Sequence, residues 1–200
     1  KADSLTVKLE RIPANRGNIY SSDGSLLATS IPKYTIYFDP YASKTEDFEQ
    51  NIHALSDSLS RFIGKRTLGQ WESYFRQSRA GKKRYLPIAN KLSYIEYTKL
   101  KQFPLFNLGK NRGGLIVEQQ YVREYPIGMI ANRTIGYERT NDDGTITRKG
   151  IEAAFTKELT GKEGARTVQK MSKALWKPIS DENDVEPVDG YDIITTIDVY

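Results

Sequence analysis

Along this 200-residue sequence, the spacing at which hydrophobic residues recur changes from every two residues to every 3.6 residues and then returns to every two. Before about residue 43, short β-branched and aromatic runs such as Tyr34–Phe38 are typical of strands. From Thr45 onward, apolar residues recur at helical spacing, and a strand-like run returns at Leu115–Tyr121. This order of strands, then helices, then strands favours an α+β fold with a helical insertion over a doubly wound sheet.

Turn signals and apolar runs place further β structure at both ends of the chain. Asp23-Gly24 stands between two apolar runs, and Gly24 can adopt the positive φ that a tight hairpin turn needs. Late strands are predicted around Arg166–Met171 and Tyr191–Ile197.

Three helices are predicted in the middle of the chain, because three capping boxes precede apolar residues at helical spacing. In each box a Ser or Thr is followed three residues later by Glu or Gln. Gly64 and Gly81 are expected to end the first two helices. The three boxes are Ser43/Glu46, Thr67/Gln70 and Ser93/Glu96.

These elements predict a discontinuous organisation. Residues 1–43 and 111–200 are expected to form a β-rich body, and residues 44–110 a helical head inserted into it. One more helix is expected in the body over Lys149–Leu159. Its predicted inward-facing residues are Ile151, Ala154, Phe155 and Leu159.

The composition argues against several kinds of chemistry. The chain has no cysteine, which excludes disulfides, thiol catalysis and cysteine-ligated zinc. His53 is the only histidine, which argues against a mechanism built on a histidine pair or on a Ser–His couple. We therefore predict no metal, no cofactor and no catalytic residue in this chain.

One pattern allows an enzymatic alternative. Ser30-Ile31-Pro32-Lys33 matches the S-x-x-K pattern of serine acyl-transfer enzymes, in which a lysine one helical turn away helps to activate the serine. A strand-like run follows at once, and the sequence contains no S-x-N and no K-T-G motif, which argues against catalysis. A stand-alone serine acyltransferase that uses Ser30 and Lys33 is the alternative.

The net charge is +5, and five cations are concentrated in one short stretch. This cluster is either a solvated helix end or a contact for an anionic partner such as lipid head groups or an acidic protein. No nucleic-acid-binding module accompanies it, so nucleic acid is not a predicted partner. The cluster consists of Arg76, Arg79, Lys82, Lys83 and Arg84.

Four segments, in order along the chain, are similar to the N-terminal, non-catalytic part of class B penicillin-binding proteins. Arg16–Ala28 resembles the family pattern R-G-x-I-x-D-R-x-G-x-x-L-A, with Ser21-Ser22 in place of Asp-Arg. Arg123–Gly128 resembles R-x-Y-P-x-G.

The other two segments lie nearer the C-terminus. Gly150–Glu152 followed by Leu159–Gly164 resembles G-x-E…L-x-G-x-x-G, and Asp189–Asp198 resembles the strand that leads into the family's transpeptidase domain. The candidate structural motif residues are Arg16, Gly17, Gly24, Arg123, Tyr125, Pro126, Gly128, Gly150, Glu152, Gly161 and Gly164.

The resemblance implies an elongated, β-rich pedestal with an inserted helical head, also called a dimerisation domain. The parent protein would be a peptidoglycan D,D-transpeptidase and β-lactam target, with its catalytic residues beyond Tyr200. A transmembrane helix, absent here, would anchor it at the periplasmic face of the inner membrane. The pedestal would bind a membrane glycosyltransferase and other division proteins.

Two further expectations come from the resemblance. The septal, cell-division branch is favoured over the elongation branch. Arg16 and Glu152 are expected to form an ion pair, because the family places their motifs near each other.

Overall fold

The computed structural model describes residues 7–128, 131–141, 143–172, 175–178 and 184–199. The chain forms two compact units. The first unit comprises Lys1–Ile31 and Arg123–Tyr200, and the second comprises Pro32–Val122.

Ten strands and seven helices are described, together with a short 3-10 helix over Phe106–Leu108. The strands are β1 (Val7–Ile12), β2 (Ile19–Tyr20), β3 (Leu26–Phe38), β4 (Leu86–Leu92), β5 (Leu115–Glu124), β6 (Tyr137–Thr140), β7 (Ile146–Lys149), β8 (Gly164–Ser172), β9 (Leu175–Pro178) and β10 (Ile193–Ile194). The helices are α1 (Thr45–Ile63), α2 (Leu68–Ala80), α3 (Tyr94–Lys101), α4 (Gly109–Gly113), α5 (Asn132–Ile135), α6 (Ile151–Ala154) and α7 (Thr156–Leu159).

The first unit is built mainly from strands. β1, β8 and β9 form an antiparallel sheet, and β6 and β7 form a separate hairpin. β2 pairs antiparallel with the start of β3 and parallel with β10. One cluster of buried apolar residues in this unit consists of Ile19, Leu27, Ala28, Ile135 and Leu159.

The second unit packs helices against strands. The later residues of β3 pair antiparallel with β4, and β5 also pairs with β3. Buried residues of α1 and α2, among them Phe48, Ile52, Trp71 and Phe75, share one apolar core with Ile36 of β3. The mixture of helices and sheets confirms the predicted α+β class.

The helical prediction for the middle of the chain is largely confirmed. α1 buries four residues at the predicted spacing and ends at Gly64, whose φ is 67°. Complete capping boxes start α2 at Thr67 and α3 at Ser93. The box predicted at Ser43 is wrong, because α1 begins after Lys44 and no side chain caps it.

One other local prediction is wrong, and one strand was not predicted. The helix expected over Lys149–Leu159 is two short helices, α6 and α7, separated at Phe155, whose side chain is exposed. No element is predicted from the sequence between α2 and α3, and there the structure has a strand, β4. The division into a body and a head at residues 44 and 110 stays a prediction.

No helix in the described ranges is long and apolar enough to cross a membrane.

Candidate functional site

The first unit contains a buried carboxylate, Glu152. Gly150 leads into α6 with a φ of 62°, a value that non-glycine residues rarely adopt. A Cβ at Gly150 would also lie 2.5 Å from the carbonyl oxygen of Thr134. This turn places Glu152 in α6 with no solvent exposure.

Two arginines from distant parts of the sequence bind the Glu152 carboxylate. Arg16 donates from Nε to Oε2 at 2.9 Å, and its Nη2 also donates to the main-chain oxygen of Glu152 at 2.8 Å. Arg123 donates from Nε to Oε1 at 2.6 Å. The side chains of Arg16 and Arg123 are 9% and 2% exposed, so both charges are largely removed from water.

A second acid and a third arginine extend this group, which we call the Glu152 cluster. Glu138 lies 3.4 Å from Nε of Arg16 and accepts a 2.6 Å hydrogen bond from Nε of Arg148. Arg16 also donates to the hydroxyl of Thr160 at 2.9 Å. The cluster therefore connects the segment before β2 with α6, β6, β7 and Thr160, the residue that follows α7.

Tyr125 completes the cluster. Its hydroxyl lies 3.4 Å from Oε1 of Glu152 and accepts a 2.7 Å hydrogen bond from the main-chain N–H of Glu138. Burial, together with the negative charge of Glu152, raises the pKa of Tyr125 to about 12. The phenol is therefore neutral at physiological pH and can donate to the carboxylate.

The geometry makes Glu152 a structural crosslink. Each of its carboxylate oxygens accepts a hydrogen bond from a guanidinium, so both oxygens are engaged within the protein. Burying such charges is favourable only when they are paired and hydrogen-bonded, as here. No group of three or more potential ligand residues in the described ranges could hold a metal ion.

The strand conformation of Ser30 and Lys33 argues against the acyltransferase alternative. Both residues lie in β3, where side chains three positions apart point to opposite faces. The hydroxyl of Ser30 accepts a 3.1 Å hydrogen bond from Arg123. The S-x-x-K pattern needs a helix to bring its serine and lysine together, and here both residues lie in a strand.

The C-terminal segment runs along the segment before and through β2. Ile193 donates to the main-chain oxygen of Asn18, and Thr195 donates to that of Tyr20, both at 2.8 Å. The main-chain and side-chain N–H groups of Asn15 bind the two carboxylate oxygens of Asp189 at 2.8 and 3.1 Å. These bonds lower the pKa of Asp189.

Close main-chain approaches account for three of the motif glycines. Gly17 donates its N–H to the Leu159 oxygen at 2.9 Å, and a Cβ at Gly17 would overlap the carbonyl oxygen of Tyr191. A Cβ at Gly161 or Gly164 would likewise overlap a main-chain carbonyl oxygen.

The structure brings only some of the motif residues together. Arg16, Arg123, Tyr125 and Glu152 meet in the Glu152 cluster, and the predicted Arg16–Glu152 ion pair is confirmed. Three others do not contribute to it: Gly24 lies in the turn between β2 and β3, and Pro126 and Gly128 are exposed.

Sequence reasoning missed several residues that complete these contacts. Glu138 and Arg148 occupy paired positions of the β6–β7 hairpin, and Asn15 meets Asp189 across 174 residues. A charge pair directly across a hairpin is a usable signal. No local signal predicts the Asn15–Asp189 contact.

The cationic cluster predicted in the second unit is largely engaged within the unit. Arg76 forms ion pairs with Glu49 and Glu72. Arg79 donates to the main-chain oxygens of Pro40 and Ser43, and its guanidinium lies 4.6 Å from the ring centre of Phe48.

The three remaining cations of that cluster are exposed. Arg84 lies 3.4 Å from the carboxylate of Asp39 and over the ring of Tyr41. Contact of Lys82 and Lys83 with an anionic partner stays a prediction.

Comparison with known proteins identifies relatives of the whole chain. A peptidoglycan D,D-transpeptidase FtsI from Buchnera aphidicola is 25% identical over 99% of this chain and 32% of its own length. A peptidoglycan D,D-transpeptidase MrdA from Salmonella typhimurium is 24% identical over 100% of this chain and 33% of its own length. The chain therefore spans about a third of the curated relatives it matches.

A solved structure has the same fold. It is described as "Structural coordination of polymerization and crosslinking by a peptidoglycan synthase complex". The match covers 99% of this chain and 31% of the solved chain, with a TM-score of 0.63 and 19% sequence identity. The family model "Penicillin-binding Protein dimerisation domain" matches residues 11–195, a range that contains all members of the Glu152 cluster. The chain therefore belongs to the penicillin-binding protein dimerisation domain family.

Proposed function

We propose that this chain is the non-catalytic pedestal of a class B penicillin-binding protein, and that it positions a peptidoglycan D,D-transpeptidase domain that follows residue 200. The names of the relatives support this function, since both are D,D-transpeptidases of which the chain matches about a third. The polar groups of the Glu152 cluster are consumed by internal crosslinks, which suits a supporting role and not a catalytic one.

The attachment of the C-terminal segment is the observation that carries the proposal. Residues 189–197 are bound to residues 15–22 by main-chain hydrogen bonds and by the Asn15–Asp189 contact. Leu159, just beyond the Glu152 cluster, binds the N–H of Gly17 in the same region. A domain that continues from this segment is held by backbone hydrogen bonds to a folded support and not by a flexible linker.

Labelling with a fluorescent penicillin tests the assignment. We expect a polypeptide extended past Tyr200 to be labelled and the 200-residue chain to remain unlabelled on a denaturing gel. Label on the 200-residue chain that disappears in Ser30→Ala would overturn the assignment in favour of the acyltransferase alternative.

We also propose that the parent protein is anchored in the inner membrane, faces the periplasm and works with a membrane glycosyltransferase. The solved complex that couples polymerization and crosslinking supports this partner, because its matched chain has the fold of this one. Co-purification of the full-length protein with such a glycosyltransferase from detergent extracts is the expected result. Loss of the glycosyltransferase under mild detergent, while the protein itself remains folded, would contradict the partnership.

Of the two branches of the family, we propose the septal one, which acts in cell division. The pattern of the Arg123–Pro126 segment and the end of β3 supports this branch, whereas overall identity does not separate it from the MrdA relative. A fluorescent fusion of the full-length protein is expected at the division site. Uniform distribution along the lateral wall throughout the cell cycle would assign it to elongation.

A further inference from the structure

The second unit contains a cavity of about 400 Å³ over its sheet. Residues of both β3 and β4 line the cavity, so it lies over the face of these two paired strands. Its volume is within the range of roughly 300–1,000 Å³ that is usual for small-molecule sites. The lining residues are Thr35 and Tyr37 of β3, Pro87–Asn90 of β4, Lys65 and Arg66 between α1 and α2, and Trp71 of α2.

An aromatic ring and a proline form the apolar part of the cavity wall. Tyr37 and Pro87 are directly paired positions of the antiparallel strands β3 and β4, so their side chains lie side by side on one face. The ring of Tyr37 also stacks on that of Tyr85, with 4.2 Å between the ring centres. This contact holds the ring of Tyr37 in one orientation, in which it offers a flat apolar surface to a ligand.

The two cations of the cavity wall lack an anionic partner. No side-chain hydrogen bond or ion pair joins Lys65 or Arg66 to another residue in the part of the chain that the structure describes. No aspartate or glutamate lines the cavity. Arg76 of the same unit differs, because it forms ion pairs with Glu49 and Glu72. The positive charge at the cavity therefore favours a ligand that carries negative charge.

Aromatic rings hold one of these cations in place. The guanidinium carbon of Arg66 lies 4.7 Å from the ring centre of Trp71 and 4.2 Å from that of Tyr74. Arginine can combine such contacts with paired hydrogen bonds to a carboxylate, because its N–H groups lie in the guanidinium plane. Trp71 is 1% exposed, so its role here is to position Arg66 and not to contact a ligand. The guanidinium is therefore preorganised for an anion.

We propose that this cavity binds a small, flat organic molecule that carries two carboxylates. The ring of the ligand lies against Tyr37 and Pro87, and its two carboxylates bind Lys65 and Arg66. Each feature of the ligand matches one part of the wall, since the floor is flat and apolar and the two cations are separate groups. This site goes beyond the proposed pedestal function and does not depend on it.

Isophthalate, a benzene ring with two carboxylates, is the probe. We expect it to shift the amide signals of Tyr37, Ile88 and Asn90 in a ¹⁵N-correlated NMR spectrum in a saturable way. Isophthalamide has the same ring without the charges, and it should bind at least about tenfold more weakly, because charge-assisted hydrogen bonds to the cations are lost. No saturable shift of these amides with isophthalate, or equal affinity for the diamide, would overturn the proposal.

Two further anions test the chemistry of the ligand. Glutarate separates its carboxylates by the same number of carbon atoms as isophthalate but has no ring. It should bind about threefold or more weakly than isophthalate, because the contact with the Tyr37 ring is lost. Equal affinity for glutarate would mean a simple anion site, and tighter binding of phenyl phosphate than of isophthalate would overturn the dicarboxylate assignment.

A pair of double variants tests the location of the site. Lys65→Gln/Arg66→Gln should weaken isophthalate binding at least about tenfold. Lys82→Gln/Lys83→Gln removes the same charge from exposed residues that do not line the cavity, and it should leave binding unchanged. The amide spectrum of each variant shows whether it is folded, and the comparison of ligands needs no variant. Equal weakening by both folded variants would show attraction by net charge only and would contradict a specific site.

Discussion

Arg123 and Glu152 form a buried ion pair in which Nε lies 2.6 Å from Oε1 and the two side chains are 2% and 0% exposed. Arg16 binds the second oxygen of the same carboxylate. One buried negative charge therefore compensates two guanidinium groups, and the stability of the first unit depends on it.

Glu152→Gln should lower the free energy of unfolding by about 3–5 kcal/mol, because it leaves Arg123 buried without its counter-charge and Arg16 with only the carboxylate of Glu138, 3.4 Å away. Urea unfolding followed by circular dichroism measures the change. Glu163→Gln is the matched control. Glu163 pairs with Arg11, whose side chain is 86% exposed, so loss of this surface ion pair should lower the free energy of unfolding by less than about 1 kcal/mol. Equal costs for the two variants would contradict a buried role for Glu152.

A charge swap between Arg16 and Glu152 should not restore stability. In Arg16→Glu/Glu152→Arg the new arginine would lie against Arg123, which stays without a carboxylate on its Nε. We expect the double variant to be no more stable than Glu152→Gln in the same urea experiment. Recovery to the stability of the parent chain would mean that Arg123 has little energetic connection to Glu152.

Gly17→Ala should destabilise the first unit by about 1–3 kcal/mol, the usual cost of forcing atoms into packed structure. The added Cβ would overlap the carbonyl oxygen of Tyr191 and push the C-terminal segment away. Gly69→Ala is the control, since Gly69 lies in α2 with nothing within 4 Å of an added Cβ. Gly69→Ala should raise the free energy of unfolding by about 0.4–1 kcal/mol. If it instead destabilised the chain as much as Gly17→Ala does, the packing argument would be contradicted.

Arg79→Ala should cost the second unit about 1.5–3 kcal/mol, as expected for hydrogen bonds from a charged group. Arg79 donates to the main-chain oxygens of Pro40 and Ser43, and no other side chain is described as binding them. Lys83→Ala, an exposed member of the same cationic cluster, should change stability by less than about 0.5 kcal/mol. Thermal unfolding measures the stability of both variants. Equal losses of stability would show that Arg79 behaves as an ordinary surface charge.

Asp189→Asn should be less stable than the parent chain at neutral pH, and the difference should narrow in acid. The N–H groups of Asn15 hold the pKa of Asp189 below its ordinary value of 3.8. Because the pKa of Asp189 is lower in the folded state than in the unfolded state, its carboxylate adds to the free energy of unfolding at pH values above the unfolded-state pKa. This stabilisation is lost as the pH falls through the folded-state pKa. Urea midpoints measured from about pH 7 to about pH 2 test this, and a difference independent of pH would contradict it.

Local patterns were sufficient where neighbouring residues decide the structure. The spacing of apolar residues predicts α1, and the boxes at Thr67 and Ser93 predict the starts of α2 and α3, because each depends on residues within one or two turns. The hairpin turn at Asp23-Gly24 is predicted for the same reason.

Local patterns failed where distant residues intervene. β4 was missed because it is stabilised by pairing with β3, about fifty residues earlier. The break between α6 and α7 was missed as well, since apolar periodicity continues through Phe155 while the backbone turns there. The Arg16–Glu152 pair came from the family resemblance and not from spacing, because 136 residues separate its members.

The sequence by itself determined the α+β class, the helices of the second unit and the family motifs, because these features depend on local hydrophobic periodicity and on short sequence patterns. Only the tertiary structure decided that Glu152 binds two arginines and that Asn15 binds Asp189. These contacts join residues far apart in the chain. Their geometry is fixed by burial and by main-chain hydrogen bonds, which no local pattern encodes.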